Sequence, residues 1–218
     1  MFTNVNLAAP IGALALLGTA LLLFIIAILL VQSLIVRKTR RATIALALML
    51  IVAVLYLGGM LVFSAVSHDK LLARGEEKHF CELDCHLAYS IVDTRQTKTI
   101  GAEANALTAH GQFTVITIKT RFDETTIGPM RGNGFLYPNS RALTLIDQNG
   151  RRYQPATQSG TALMTPLRPG ESYTTEIAFD LPTEAKPTKL LLNEDAWETH
   201  LIIGHENSLL HGKTSFQL

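Results

Sequence analysis

Two long runs without a charged side chain constrain this chain more than any other feature of its sequence. The runs cover residues 11–36 and 42–67. Each is longer than the ~20 apolar residues that an α-helix needs to cross the hydrocarbon of a bilayer. In lipid the backbone must satisfy its own hydrogen bonds, which a single run can do only as a helix. We therefore predict that residues 1–67 form a transmembrane helical hairpin.

The residues between the two runs predict the orientation of the hairpin. Residues 37–41 read Arg-Lys-Thr-Arg-Arg, with four positive charges and no acid, and short loops of this kind stay in the cytoplasm. A cleaved signal peptide would have a positive N-terminal segment and a shorter apolar stretch, and the first run has neither. We therefore expect a protein of the bacterial inner membrane whose N-terminus and C-terminal domain are both extracytoplasmic.

Charge and motif content exclude several function classes for the region that follows. All 18 acidic residues lie after the second run, while four of the 19 basic residues lie in the turn, so the outer region is close to neutral. A neutral surface argues against a nucleic-acid partner. The sequence also contains no Gly-x-Ser-x-Gly elbow, phosphate-binding loop or dinucleotide fingerprint. We therefore expect a protein that is not an enzyme and carries no cofactor.

After residue 67 the pattern changes to short extended segments separated by turn signals. The clearest strand covers residues 173–181, where Tyr173, Ile177 and Phe179 alternate with polar residues. Asn149-Gly150 predicts a tight hairpin between strands at residues 142–146 and 151–153. Further strands are predicted at residues 87–97, 113–122, 189–192, 200–203 and 214–217. About seven short strands of this kind indicate an immunoglobulin-type β-sandwich over residues 86–218.

Five stretches within residues 86–203 together form one pattern of strands and turns along the chain. They are Gly111-Gln112-Phe113, Leu145-Ile146-Asp147, Arg151-Arg152-Tyr153, Leu167-Arg168-Pro169-Gly170-Glu171-Ser172 and Phe179-Asp180-Leu181-Pro182. In this pattern the chain resembles the telokin-like bacterial domains of unknown function. The resemblance implies an immunoglobulin-like sandwich, often on secreted or membrane-tethered chains, and implies nothing about chemistry. The expected fold class is a membrane-anchored all-β protein, with two N-terminal transmembrane helices followed by an immunoglobulin-like antiparallel β-sandwich.

The chain has only two cysteines, and both lie in the motif His79-x-Cys81-x3-Cys85-His86. Most of this motif lies in residues 68–85, which we expect to be a linker. A Cys81–Cys85 disulfide is the first interpretation, because paired cysteines outside the cytoplasm usually bond. It requires a bend that brings the two Cα atoms within ~4.4–6.8 Å. A redox-active thiol pair is a further interpretation, although such pairs usually lie two residues apart at a helix N-terminus.

A copper or zinc site is the main alternative for the same motif. Two thiolates and two imidazoles suit either metal, and His205 and His211 could complete the site if the C-terminal segment folds back. The Cys-x3-Cys spacing after a two-helix hairpin also resembles the copper-binding subunit II of cytochrome oxidases. In that family the cysteines lie in a late loop, with a histidine and a methionine beyond. Here the motif precedes the strands and no methionine follows, so we do not expect a dinuclear copper centre.

Two further segments carry polar side chains of interest. His205 and His211 are six residues apart, not four as in the zinc-protease motif, and we expect a turn there capped by Asn207 or Ser208. The long loop at residues 123–140 favours a functional or mobile segment. Its polar side chains are either a site for a partner or solvated charges that pair with one another: Asp123, Glu124, Arg131, Asn133 and Arg141.

These observations lead to three hypotheses from different classes. The first is a non-enzymatic interaction or accessory module of the cell envelope, whose partner is another envelope protein or a membrane complex. The second is a copper- or zinc-binding protein, of which an electron-transfer protein is one kind. The third is a sensor of a small envelope ligand, for which the polar loop is the candidate site.

Overall fold

The computed structural model of the chain describes residues 8–80, 86–101, 106–127 and 131–218. The chain divides into two compact units. The helical unit consists of Leu7–His68 and the later segment Trp197–Gly212. The sandwich unit contains Asp69–Ala196 and Lys213–Leu218. A segment between two strands of the sandwich therefore belongs to the helical unit, whereas we expected residues 86–218 to form one domain.

The two uncharged runs are helices, as predicted. Helix α1 covers Ala8–Ile35 and helix α2 covers Thr39–Ala65, and both are long and apolar enough to cross a membrane. Large apolar side chains are exposed along both, including Leu14, Leu21 and Leu55 at more than 60% each. A helix that is apolar on all sides needs an apolar surrounding, so the helical unit has the composition and surface of a membrane hairpin.

In the described part of the chain, the sandwich unit contains ten strands in two sheets. The strands are β1 (Lys70–Leu72), β2 (Lys78–Phe80), β3 (Leu87–Ile100), β4 (Leu107–Phe122), β5 (Arg141–Asp147), β6 (Arg152–Tyr153), β7 (Thr157–Gly160), β8 (Ser172–Leu181), β9 (Pro187–Glu194) and β10 (Thr214–Gln217). One sheet has the order β1-β10-β9-β5-β6 and the other β2-β3-β4-β8-β7. All neighbouring pairs are antiparallel except β1 and β10, which are parallel.

Most predicted strands are confirmed, and the differences fall on short elements. The hairpin at Asn149-Gly150 is present, with Gly150 at a φ of 78°. Strands β1 and β2 lie in residues 68–85, which we expected to be a linker, so the sandwich begins earlier than residue 86. The strand predicted at residues 200–203 is wrong. A 3₁₀ helix covers Trp197–Leu201 instead, because this apolar run packs on the helices and not on a neighbouring strand.

One buried core joins the inner faces of the two sheets. Tyr89, Ile116 and Phe179 of one sheet and Leu145 and Leu190 of the other are all fully buried within it. Burying side chains of this size stabilises a fold by roughly 1.5–3 kcal/mol each. The sandwich unit therefore places these large apolar side chains in its interior.

A buried lysine links the two sheets near the beginning of the sandwich. The ammonium group of Lys78, in β2, donates to the carbonyl oxygens of Leu192 at 2.6 Å and Thr214 at 3.1 Å and to the side-chain oxygen of Asn193 at 3.2 Å. These oxygen atoms accept hydrogen bonds from the ammonium, which offsets the cost of burying the charge. Lys78 therefore fixes β2 against the opposite sheet, and the next residue is His79.

Candidate functional site

The structure describes the two histidines of the Cys/His motif. Cys81 and Cys85 lie outside the described residues, so the disulfide, the thiol pair and the thiolate ligands all remain predictions. His79 is described at the centre of β2, and His86 immediately precedes β3. The side chains around these two histidines are therefore the part of the predicted site that can be compared with the sequence.

Strand register brings His79 close to an arginine from another part of the sequence. His79 pairs with Ala88 of β3, and Ala88 pairs with Arg121 of β4. Side chains opposite each other on neighbouring strands share a face of the sheet, so the three residues form one row. Because Ala88 is small, the longer side chains on either side can meet above it.

The side chains on this face form a charged group that we call the His79 cluster: Glu77, His79, Arg121 and Asp123. The guanidinium of Arg121 donates two hydrogen bonds to Glu77, at 2.8 and 2.7 Å. It also lies 3.3 Å from Asp123. The Nε2 atom of His79 is 3.1 Å from the other carboxylate oxygen of Asp123. Each side chain of the cluster is less than one third exposed, so solvent screens these contacts weakly.

The cluster keeps both of its carboxylates ionised. Hydrogen bonds from Arg121 lower the pKa of Glu77, although partial burial acts in the opposite direction. Burial also raises the pKa of Asp123, but hydrogen bonds from Thr125, His79 and Arg121 outweigh it and hold that pKa well below its ordinary value. The hydrogen bonds that Arg121 makes to Glu77 and Asp123 raise the pKa of Arg121, although partial burial lowers it. Asp123 is therefore a permanent acceptor beside His79.

This acceptor determines which nitrogen of His79 carries a proton. An ionised carboxylate only accepts hydrogen bonds, so Nε2 of His79 donates to Asp123. In the neutral ring, Nδ1 then carries a lone pair. The Nδ1 atom is buried and has no hydrogen-bond partner among the described residues. A buried polar atom without a partner costs about 1–3 kcal/mol of folding free energy. The Nδ1 atom of His79 is therefore a candidate for binding a ligand.

His86 is held from the same turn. Its ring stacks on Phe122, with the ring centres 5.0 Å apart, and its Nδ1 atom is hydrogen-bonded to the hydroxyl of Thr126. That hydroxyl donates its proton to the carbonyl oxygen of Asp123 at 2.6 Å, so Nδ1 of His86 must be the donor to Thr126. The backbone N–H of Asp123 also donates to the carbonyl oxygen of His86, at 2.7 Å. One turn, at Asp123, therefore orients both histidines.

A histidine anchored at one nitrogen is the usual state of a metal ligand. The second nitrogen of a ligating histidine is nearly always bonded to a carboxylate, a carbonyl or a similar group, which fixes the ring. His79 and His86 are both anchored in this way, on either side of the two cysteines. Among the described residues, however, no group of three or more His, Cys, Asp and Glu side chains could hold a metal. The predicted metal site includes the two cysteines, which lie outside those residues.

The other two predicted histidine ligands belong to the helical unit. His205 is buried, and its Nδ1 atom accepts a hydrogen bond from the backbone N–H of Asn207 at 3.0 Å. The Nδ1 atom of His211 lies 2.8 Å from the carbonyl oxygen of Gly212. A turn at these residues was expected. These hydrogen bonds to neighbouring backbone groups orient each ring within its own turn.

The polar residues predicted as an interaction site in the long loop have separate surroundings. Asp123 belongs to the His79 cluster, and Glu124 is exposed in a 3₁₀ helix, Glu124–Thr126. Arg131 donates to the carbonyl oxygen of Gly134 at 3.3 Å. Asn133 is exposed. Arg141 lies over the rings of Phe80 and Tyr89, at 4.1 and 5.3 Å from the ring centres.

The same loop exposes an aromatic surface that our sequence reasoning did not identify. We call it the aromatic patch: Phe135, Tyr137 and Arg168. Leu136 and Leu167 form a two-bond antiparallel bridge, with N–O distances of 2.9 and 3.1 Å. Phe135 and Tyr137 are 47% and 69% exposed, and the Arg168 guanidinium lies 4.4 Å from the Phe135 ring centre. The signal was two aromatic residues in a Gly- and Pro-rich loop.

No protein-family model and no curated protein sequence matches the chain. Two solved structures are similar over most of their length. A secreted protein of Mycobacterium tuberculosis, MPT63, is 14% identical with a TM-score of 0.45, over 69% of this chain and 98% of that one. An uncharacterized β-sandwich protein of Clostridium difficile 630 is 11% identical with a TM-score of 0.43, over 70% of this chain and 95% of that one.

Proposed function

We propose that this protein is a membrane-anchored, extracytoplasmic interaction module of the bacterial cell envelope, and that it is not an enzyme. The two apolar helices hold it in the inner membrane with the basic turn in the cytoplasm, and the sandwich binds another envelope protein or a membrane complex. The same proposal includes the telokin-like, immunoglobulin-type character of the sandwich.

The aromatic patch is the observation that carries this proposal. Aromatic residues and arginine are enriched at protein interfaces, and alanine substitution of such residues often costs 2 kcal/mol or more of binding. The patch also needs little ordering on binding, because the Leu136–Leu167 bridge fixes the backbone and Arg168 already stacks on Phe135. A preorganised surface loses less entropy when a partner binds.

Photo-crosslinking in native membranes tests this surface directly. Benzoylphenylalanine placed at Tyr137 is expected to give one discrete adduct with another envelope protein. The matched control is Leu107, which is 52% exposed on β4 of the same unit and is expected to give none. Replacing Phe135 and Arg168 together with alanine should weaken recovery of the adduct roughly tenfold or more, as expected for hot-spot residues. Equal, diffuse labelling at both positions would contradict the proposal.

A second candidate function is supported by the surroundings of His79. The motif His79-x-Cys81-x3-Cys85-His86 would bind copper or zinc, with His79 ligating through Nδ1, the buried nitrogen that has no partner among the described residues. Asp123 and Thr126 would orient the two imidazoles, and the thiolates would supply the remaining ligands. Soft ligands of this kind suit copper and zinc.

Elemental analysis of the protein purified without chelators separates these possibilities. The metal hypothesis expects stoichiometric copper or zinc, with two thiols free after denaturation, and loss of the metal in His79→Ala. The control variant is His110→Ala, because His110 also pairs with an aspartate, Asp180, at 2.8 Å but is fully exposed. No metal and no free thiol would make Cys81–Cys85 a disulfide and leave the interaction module as the function.

A further inference from the structure

The segment Trp197–Gly212 is attached to the helices through one end of the hairpin. The hydroxyl of Tyr56 donates to the carbonyl oxygen of Leu201 at 2.7 Å, and the backbone N–H of Gly212 donates to the Ser67 hydroxyl at 2.7 Å. Tyr56 lies about 14 Å along α2 from the helix end at Ala65, at ~1.5 Å per residue. The segment therefore follows the last turns of α2, at the end of the hairpin opposite to the basic turn.

Two glycines let the segment approach closely. A Cβ atom at Gly12 of α1 would lie only 1.9 Å from the carbonyl oxygen of Ile203, which no side chain could tolerate. The Ile203 side chain reaches within 3.7 Å of the corresponding position at Gly59 of α2. Contact of backbone with backbone, through small residues, is how elements associate in lipid.

Several polar side chains of the segment are turned inward. Thr199, Asn207 and Ser208 are all buried. Asn207 donates to the hydroxyl of Thr199 at 2.9 Å, and the hydroxyl of Ser208 donates to the carbonyl oxygen of Ile202. Successive turns also pair backbone groups, with His205 N–H donating to Ile202 at 3.2 Å and Ser208 N–H to His205 at 2.9 Å. Internal pairing of this kind is required where water cannot supply partners.

The large apolar side chains of the segment are turned outward. Trp197 is 69% exposed, Leu209 58% and Leu210 77%. Leu210 also has a φ of 61°, a left-handed conformation that favours Gly or Asn and is rare for a bulky side chain. In water, both the conformation and the exposure would disfavour leucine. In an apolar surrounding, the exposure no longer disfavours leucine.

We propose that Trp197–Gly212 lies in the interfacial region of the outer leaflet, with Trp197, Leu209 and Leu210 in contact with phospholipid. This inference rests on the proposed membrane anchoring of the helices, whose exposed apolar surface it continues. The interface fits better than the hydrocarbon centre because the segment contains Glu198 and Glu206, and tryptophan is enriched at membrane interfaces. The segment has no Lys or Arg, so it should not require anionic lipid.

The chain has a single tryptophan, which makes the test direct. The full-length protein is reconstituted in phosphatidylcholine vesicles with brominated acyl chains, and Trp197 emission is measured with brominated lipid and with iodide. We expect a roughly twofold or greater loss with brominated lipid, little loss with iodide, and no gain when anionic lipid is added, as for an interfacial indole.

Two further variants carry their only tryptophan at another position, because Trp197 is replaced by phenylalanine in both. Leu210→Trp is expected to retain lipid quenching. Tyr137→Trp is the matched control, because Tyr137 has the same exposure of 69% as Trp197 but lies on the sandwich unit; it should be quenched by iodide instead. Equal lipid quenching at position 137 would overturn the inference, because lipid contact would no longer distinguish the segment.

Flotation of the vesicles distinguishes failure of the inference from failure of the proposed function. A protein that does not float with the vesicles would overturn the membrane anchoring itself. A protein that floats, but whose Trp197 is quenched by iodide and not by lipid, would overturn only the inference. Quenching by neither agent would show that protein covers the segment, most simply a second copy, and would also overturn it.

Discussion

The helical unit and the sandwich unit place apolar side chains in opposite ways. In the sandwich unit, Phe179 and Leu145 are fully buried and the charged His79 cluster lies on the outer face of a sheet. In the helical unit, Leu55 and Trp197 are exposed while Asn207 and Ser208 are buried and hydrogen-bonded. Side-chain burial follows the surrounding medium, so the difference between the two units supports the proposed anchoring of the helical unit in a membrane. Four pairs of substitutions test this contrast.

The largest effect is expected from removing a core side chain of the sandwich. Phe179 is fully buried, so Phe179→Ala should lower the free energy of unfolding by about 3–5 kcal/mol through lost burial and a cavity. Phe135→Ala, at a 47% exposed phenylalanine, should cost about 1 kcal/mol or less. Chemical denaturation of the full-length protein in detergent, followed by circular dichroism, measures both. Equal losses would remove the distinction between core and surface in this unit.

The second effect concerns an exposed leucine in each unit. Leu55 of α2 is 70% exposed and Leu107 of β4 is 52% exposed. Leu55→Arg should oppose membrane insertion by roughly 3 kcal/mol, the cost of an arginine near the centre of a membrane helix. Leu107→Arg should leave stability within about 0.5 kcal/mol, as for most surface changes. The readout is the fraction of protein that resists alkaline carbonate extraction, and no difference would argue against a lipid-facing α2.

The third effect tests the contact between the helices and Trp197–Gly212. Gly12→Ala places a Cβ atom against the carbonyl oxygen of Ile203 and should cost about 1–3 kcal/mol, as overpacking does. Gly18→Ala has open space around it and should stabilise the helix by up to about 1 kcal/mol. Thermal unfolding in detergent gives the sign of each change. A Trp197 emission shift is expected only in Gly12→Ala, and its absence would mean that the segment is not seated on Gly12.

The smallest effect is expected at the His79 cluster. Asp123→Asn replaces one buried carboxylate oxygen by an N–H donor and removes the negative charge, which should cost about 1.5 kcal/mol at neutral pH. Because the folded state lowers the pKa of Asp123, this contribution is present above the unfolded value of about 4 and is lost as the pH falls below it. Asp93→Asn is the control, since Asp93 pairs with Arg74 at an exposed site and should change stability by less than about 1 kcal/mol. Parallel pH profiles for the wild type and Asp123→Asn would contradict this assignment.

Sequence reasoning identified the features that depend on local patterns. Both helices, the alternating strand β8 and the Asn149-Gly150 hairpin follow from neighbouring residues, whose spacing or turn chemistry is sufficient. The short strand β2 was missed because one of its two inward residues is Lys78, and a charged residue hides the alternation of apolar and polar side chains until its acceptors on the opposite sheet are known. The run at residues 200–203 was assigned to a strand because apolar residues alone do not reveal whether they pack on a sheet or on a helix.

The candidate site depended on contacts between distant positions. The motif identified His79 and His86 as residues of interest, but Asp123 was assigned to a polar loop. The pairing of His79 with Asp123 joins positions 44 residues apart and requires the register of three strands. The polar residues of the loop were likewise visible in the sequence, whereas the exposure of Phe135 and Tyr137 depends on the Leu136–Leu167 bridge.

The parallel pair of β1 and β10 has a consequence for biosynthesis. Lys70 pairs with Thr214, and β10 lies between β1 and β9, so this sheet cannot close until the chain has been made past Gln217. Domains commonly fold as units while synthesis continues, but here the first strand waits for a partner from the far end of the domain. Until β10 is available, β1 and β9 present open strand edges, which are prone to wrong pairing. If the sandwich unit is exported as proposed, this sheet is completed only after the last strand has crossed the membrane.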